Sequence, residues 1–339
     1  MENYSSEVSR GRPDIEEITA GYRKVVVDAI AKVFEGDSEF SSAAKDAVEG
    51  GKKLRPVLAL MTCEAVCGSV EPAVPVALVY ELAHSASLVQ DDMIDESDLR
   101  HDKPAAHKKH GFVKAILVSD MLLFQMFEEL SKVDSKALTA KKISRLLSLV
   151  AEAAKLTAKG EYLEMQLASK TEIAEADYLK VASLKTGALF AASAASGALA
   201  GGASTRVVDQ MHEFGLNLGI AFQMKDDLLD VMGSKRSIGK PVFKDLQNNA
   251  CNIVLVHALS QADAYQKNSI LSLQYRKWYA ARDIAKLQEI LEDLGSARHA
   301  SELAERQLAV ARDRLKVLPR SEAKDKLVKL TYSLGRRGS

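Results

Sequence analysis

Residues 84–102 read HSASLVQDDMIDESDLRHD, and what surrounds their acidic cluster decides the fold. Upstream, 75–89 (PVALVYELAHSASLV) has no glycine or proline after its first residue, and its apolar spacing predicts a buried helix. The last turns of that helix carry Asp91, Asp92 and Asp95. Positions four apart share a helix face, so Asp91 and Asp95 project side by side with Asp92 flanking them. Three crowded carboxylates repel one another, and partial burial is costly unless a cation compensates. A ligand set made only of oxygens suits a hard divalent ion, Mg2+ by preference. For this stretch taken alone, a solvated acidic helix end is the bland alternative.

The chain has 339 residues, enough for one large core. Lys plus Arg and Asp plus Glu are equal at 46 each, so no global field steers it towards nucleic acid or an acidic membrane surface. Seven prolines and 19 glycines are few, and Ala, Leu, Lys and Glu dominate, which favours helices nearly throughout. Cys63, Cys67 and Cys251 make no metal-ligand pattern and read as buried thiols. Residues 1–13 are polar and charged, resembling a flexible segment rather than a signal peptide. No apolar run reaches the length of a membrane span, so a soluble, cytoplasmic protein is expected.

An amphipathic helix is expected from Asp14 to about Phe34, with Asp14 as its N-cap. Gly50-Gly51-Lys52-Lys53-Leu54-Arg55-Pro56 sets two glycines before three cations, a pattern that can form an anion pocket at the start of the next helix. Behind the aspartates, 100–111 is a cationic loop with Arg100, His101 and Lys103, suited to gripping a polyanion. Helices are expected over 112–133 and 137–159, with Gly160 as punctuation before a further helical piece, 161–168. The run 178–202 is apolar and rich in small residues, interrupted by Lys185 and Thr186; a lysine there must reach an anion or a cavity. The helix over 204–232 carries Asp226, Asp227 and Asp230 with Gln223 one turn earlier, repeating the spacing of the first triad.

Two such triads, each on an apolar helix and each near cations, point to one chemistry. If they face each other across a cavity, six carboxylates can hold several Mg2+ ions around a diphosphate, neutralising the charge that builds as it departs. Ionisation of an allylic diphosphate suits that arrangement.

Five segments together resemble the trans-isoprenyl diphosphate synthases, the farnesyl and geranylgeranyl diphosphate synthase family. GGKKLRP (50–56) is similar to the family's GGKRLRP, 84–107 to its first aspartate-rich region, LKTGALF (184–190) to its Lys-Thr motif, FQMKDDLLD (222–230) to its second, and GKP (239–241) to its loop. The resemblance covers about Gly50 to Leu259 and is closest to a geranylgeranyl diphosphate synthase. It implies an all-α, single-domain bundle of long, mostly antiparallel helices around a deep central cavity. It implies Mg2+ on Asp91, Asp92, Asp95, Asp226, Asp227 and Asp230, three ions when substrate is bound. Lys52, Arg55 and His84 would hold isopentenyl diphosphate. Arg100, Lys185 and Lys240 would hold the allylic diphosphate (dimethylallyl, geranyl or farnesyl), and Thr186 and Gln223 would line the place where the allylic cation forms. The implied reaction is head-to-tail condensation to an all-trans polyprenyl diphosphate of twenty carbons or slightly more. A homodimer is implied as well.

Two positions depart from the family pattern. His101 stands where a second arginine usually grips isopentenyl diphosphate, and Ala250 stands at a phosphate-binding lysine. Both losses should weaken diphosphate binding, which leaves a low-activity subunit of a heteromeric synthase as an alternative. A class I terpene cyclase is another, although Lys52, Arg55 and His84 would be idle there. Product length is expected to depend on Ala83, Ala86 and Ser87, which are small, and on Tyr80, eleven residues before Asp91 and about 16 Å deeper along the helix.

Overall fold

The computed structural model describes residues 14–34, 38–133, 138–170, 172–232, 243–248, 250–274, 276 and 279–336. Residues 1–13 and Lys240 lie outside the described residues. Helices make up nearly all of the described chain, and its one sheet is a two-stranded hairpin. The chain forms two compact units, one comprising 1–154, 189–215 and 314–330, the other 155–188, 216–313 and 331–339.

The first unit opens with α1 (Ile15–Val33), where the Asp14 side chain and Glu17 form a capping box. α2 (Glu39–Val48) is capped by Ser38, whose hydroxyl accepts from the Ser41 N–H. α3 (Leu54–Cys67) starts after Lys53 at φ 54°, and every residue from Val57 to Cys63 is buried. A single 3-10 turn leads into α4 (Val74–Ile94), which packs most extensively against α6 (Phe112–Ser131) and then against α3. Between them lie β1 (Leu99–Arg100), β2 (Lys103–Pro104) and the short α5 (Ala106–His110).

Together with its leading turn, α4 forms a helix over 71–94 that is apolar and long enough to cross a membrane by composition alone. Sequence reading found no run of that length because the polar residues Glu81, His84 and Ser85 interrupt the apolar ones. Two thirds of its most apolar window is buried inside the protein, the behaviour of a core helix. α7 (Ala140–Leu167) runs through Gly160 without a break, contrary to the expected punctuation there. The residues 189–200 belong to the first unit, where Gly197 brings its helix against the Ala59 carbonyl and leaves no room for a Cβ.

In the second unit α8 (Glu175–Val181) passes into a π-helical turn, 182–187; α9 (Ala188–Ala200) follows in sequence and from Leu189 belongs to the first unit. α10 (Thr205–Met232) carries the second triad at its end. Shorter helices follow at 244–248, 253–261, 264–271, 281–293 and 296–314; a final one, 322–335, belongs to the first unit as far as Leu330. The core of this unit gathers Tyr178, Met224, Leu228, Phe243, Ile253 and Leu291.

Candidate active site

In the first unit the triad residues do not share one environment. Asp92 is buried, and Arg100 Nε donates to both of its carboxylate oxygens at 3.1 Å, with Nη2 bonding Oδ1 as well. Asp91 is half-buried and Asp95 exposed. Two carboxylates one turn apart therefore stay accessible while an arginine neutralises the third. Burial works to lower the Arg100 pKa, but Asp92 outweighs it and, with Asp91 and Asp95, raises it on balance. The guanidinium stays charged.

A hairpin delivers Arg100. Leu99 pairs with Pro104 and Arg100 with Lys103, and His101 and Asp102 close the turn at φ 51° and 61°. Sequence reading took this stretch for a loop because its residues are charged. The turn swings the His101 ring over Gly50 and Gly51, both at positive φ, where an added Cβ would come within 3.3 and 3.2 Å of the imidazole. A cavity of about 450 Å³ opens here, with Gly50, Asp92, Arg100, His101, Lys103 and Lys109 among its walls.

The three cations of GGKKLRP have separate fates. Lys53 is consumed by structure: its Nζ lies 2.6 Å from Glu81 Oε1 and 2.5 Å from the Val48 carbonyl, and both side chains of the pair are nearly buried. Lys52 is exposed. Arg55 donates to His84 Nε2 at 2.9 Å and stacks over the Phe190 ring at 4.7 Å, while the Ser193 hydroxyl holds its carbonyl. A guanidinium cannot accept, so His84 Nε2 must, which puts the ring proton on Nδ1. Burial first, then Arg55, Lys53, Arg100 and His101, push the His84 pKa well below its ordinary value. His84 is neutral, and its remaining N–H is a donor.

Of the residues expected to set product length, Tyr80 is wholly buried with its hydroxyl 2.7 Å from Ser196 Oγ. Ala83 and Ala86 are buried too, the latter where the Ser119 hydroxyl of α6 reaches its carbonyl at 3.4 Å. Ser87 keeps part of its surface, its hydroxyl donating to the His84 carbonyl at 2.8 Å.

In the second unit the π-helical turn presents Lys185 to two carboxylates of α7, Glu161 Oε2 at 2.5 Å and Glu164 Oε2 at 2.7 Å. These glutamates escaped the sequence reading, though a lysine in an apolar helix signals that some anion must meet it. Next to it, Thr186 Oγ1 donates to Gln223 Oε1 at 2.8 Å, and Gln223 Nε2 donates to Asp227 Oδ1 at 2.9 Å. Asp227 is buried, with its other oxygen accepting from the Ile253 N–H at 3.0 Å. Asp230 accepts from the N–H groups of Lys244 at 2.9 Å and Asp245 at 3.2 Å. Asp226 is half-buried.

Burial pushes the Asp227 pKa up to about 7, against the pull of the Ile253 N–H and Gln223, and that of Asp230 up to about 6, against the Lys244 and Asp245 N–H groups. Asp245, also missed by sequence reading, has its pKa pushed well above the ordinary value by burial and then by Asp230 and Asp227. Three neighbouring carboxylates thus resist being charged together, a deficit a divalent cation would remove. Among the described residues no three acidic, histidine or cysteine side chains converge as a ready-made cage. Mg2+ needs none: it keeps several waters and is commonly held by one or two carboxylates plus substrate phosphate. The oxygen-only donors Asp91, Asp95 and Asp226 fit that habit.

Residues 37–294 match the polyprenyl synthetase family. The chain is 31% identical over 270 residues to the geranylgeranyl diphosphate synthase of Saccharolobus solfataricus, covering 80% of this chain and 81% of that one. Its fold is similar to a geranylgeranyl pyrophosphate synthetase from Pyrococcus horikoshii, with TM-score 0.88 and 29% identity over 95% and 98% of the two chains. It is also similar to a polyprenyl synthase from Caulobacter crescentus complexed with calcium and isoprenyl diphosphate, with TM-score 0.84 and 26% identity over 97% and 99%. By its motifs, its helical architecture and this similarity, the chain belongs to the polyprenyl synthetase family of trans-isoprenyl diphosphate synthases.

Proposed function

We propose that the protein condenses isopentenyl diphosphate with an allylic diphosphate, head to tail, to give an all-trans product of twenty carbons. The observation that carries this reading is the cluster of Arg55, His84, His101 and the Gly50-Gly51 backbone beside the first aspartates. It supplies a phosphate-binding set additional to the metal-binding carboxylates, which only an enzyme joining two diphosphates needs. A cyclase would leave it idle.

Each residue then has a task. Arg55 and the Nδ1–H of His84 would bind isopentenyl diphosphate, with Lys52 and His101 at its rim. Arg100 and Lys185 would bind the allylic diphosphate. Mg2+, carried by Asp91, Asp95 and Asp226, would supply positive charge to the departing diphosphate. Asp92, Asp227 and Asp230 orient that set through Arg100, Gln223 and backbone N–H groups. Thr186 and Gln223 offer oxygen dipoles to the allylic carbon as it becomes cationic, and the hydrogen bond between them fixes both side chains. The double bond of isopentenyl diphosphate attacks that carbon, and a proton leaves to the diphosphate. Both aspartate groups are proposed to act on one substrate.

A homodimer is part of the reading. α6 presents Val113, Leu117, Phe124 and Phe127 on its outer side, each more than half exposed, and an apolar stripe of that size suits a self-complementary partner. A cytoplasmic location is proposed on the buried state of α4. The test is incubation of purified protein with Mg2+, labelled isopentenyl diphosphate and farnesyl diphosphate, followed by chromatography. A labelled C20 prenyl diphosphate is expected. No extractable label, or a cyclic hydrocarbon formed without isopentenyl diphosphate, would overturn it.

A further inference from the structure

Asn252 is buried at the head of the helix 253–261, and all of its amide is in use. Its Oδ1 accepts from the N–H groups of Val254 at 2.9 Å and Leu255 at 3.5 Å, which is ordinary N-capping. Capping does not account for the other end. Nδ2 donates to the Asp227 carbonyl at 3.2 Å and to Asp245 Oδ2 at 2.8 Å. One side chain thus links the backbone of the second triad to a fourth carboxylate. The cap also sets the register in which the next residue, Ile253, gives its N–H to Asp227 Oδ2. Asp245 in turn gives its backbone N–H to Asp230.

Serine and aspartate cap helices about as well as asparagine does, and threonine nearly so. None of them offers an acceptor together with two N–H donors. Aspartate would add one more negative charge beside Asp227 and Asp245. The residue type is therefore fixed by what its donors hold rather than by the helix start.

We propose that Asn252 is a positioning residue for the divalent cation. By tying the Asp227 carbonyl to Asp245 it holds the last turn of α10, and with it Asp226 and Asp230, in the arrangement that binds the ion. This rests on the reading of the second triad as metal-binding. It makes Asn252 a determinant of metal affinity that touches neither metal nor substrate. Outer partners of this kind commonly change metal affinity 10- to 100-fold, on the order of what is expected here.

The test separates the cap from the donors. Asn252→Ser keeps a capping oxygen and removes the amide; Asn252→Asp keeps cap and size and reverses the polarity of the donor end. Each full-length variant is measured by thermal melting and by Mn2+ binding, read as loss of the free Mn2+ signal in electron paramagnetic resonance with inorganic pyrophosphate present. The half-activating Mg2+ concentration in the condensation assay is a second readout. Asn252→Ser is expected to melt within a few degrees of the parent yet bind Mn2+ about tenfold more weakly, with half-activating Mg2+ raised by a similar factor. Asn252→Asp is expected to melt lower without metal and to recover most of that loss when Mn2+ and pyrophosphate are added. Parent-like Mn2+ affinity in a folded Asn252→Ser would overturn the assignment, as would losses that follow melting alone in both variants. If the parent itself shows no saturable Mn2+ binding, the metal reading of the triad falls, and the assignment with it.

Discussion

Replacing Gly160 with alanine sets two energies of opposite sign against each other. Gly160 lies inside α7, where alanine is favoured over glycine by about 1 kcal/mol. Propensity alone therefore makes Gly160→Ala stabilising. Its Cβ, however, would stand 2.7 Å from Lys185 Cα and 2.9 Å from the Leu184 carbonyl carbon, both backbone atoms of the π-helical turn. Carbon atoms pack at about 3.5–4.0 Å, so one backbone must retreat by roughly 1 Å. Overpacking of this kind costs about 1–3 kcal/mol, which leaves a net loss of about 0–2 kcal/mol and a melting temperature only a few degrees lower. Activity is expected to suffer far more. Glu161 and Glu164, which hold Lys185 at 2.5 and 2.7 Å, sit on the same turns of α7 as Gly160. A misplacement near 1 Å at a positioned group can cost about 100-fold in rate. Circular dichroism melts and steady-state condensation kinetics on the same preparation read both effects. A variant that melts higher than the parent and turns over within twofold of it would refute the reasoning, because propensity would then have won and the close approach would carry no function.

Ser87→Phe is expected to shorten the product, since Ser87 keeps accessible surface on α4, whereas Ala86→Phe is expected to lower stability by about 1–3 kcal/mol because Ala86 is fully buried at the α6 contact. Product chromatography and thermal melts distinguish the two, and an unchanged product profile in Ser87→Phe removes that wall. His101→Arg restores a permanent charge and a bidentate fork beside Gly50-Gly51. A charge-assisted hydrogen bond of about 1.5–3 kcal/mol makes a KM for isopentenyl diphosphate lower by tenfold to about 100-fold the expected outcome, and no change would place His101 outside that subsite. The folded state raises the Asp227 pKa to about 7 and the Asp230 pKa to about 6, above the usual carboxylate values. Their contribution to stability is therefore complete below about pH 4 and is lost as pH rises through 6 and 7. Melting in EDTA across that range should fall more steeply for the parent than for Asp227→Asn; equal slopes would contradict the shift.

Much of the fold was legible because helix signals are local. The Asp14 N-cap, the helical spacing along 75–89 and the small residues of 178–202 each name their element without help from elsewhere. The aspartates were legible for the same reason, since i and i+4 share a face. What was hidden depends on a partner remote in sequence. Gly160 looked like a break because a glycine inside a helix is unfavourable; only the Lys185 backbone against it explains its place. Lys53 looked like Lys52 and Arg55 until Glu81, twenty-eight residues on, proved to be its partner. The glutamates facing Lys185 are likewise a side-chain meeting between segments that the sequence sets apart.

The two DDxxD segments, identical in pattern, are built on different electrostatics. In the first, the buried member Asp92 is neutralised by the guanidinium of Arg100, an ion pair complete within the protein. In the second, the buried member Asp227 accepts from the Gln223 amide and the Ile253 N–H, and Asp230 accepts from the N–H groups of Lys244 and Asp245. Dipoles hold a carboxylate in place without cancelling its charge, so burial still pushes the Asp227 pKa up to about 7. On the proposed metal-binding role, the first triad is preorganised by its own arginine, and the second would draw on a cation from outside. An enzyme so arranged has a ready reason to bind metal and diphosphate together rather than in turn. Positive charge relieves the second site most when the incoming phosphate supplies the oxygens that the protein does not.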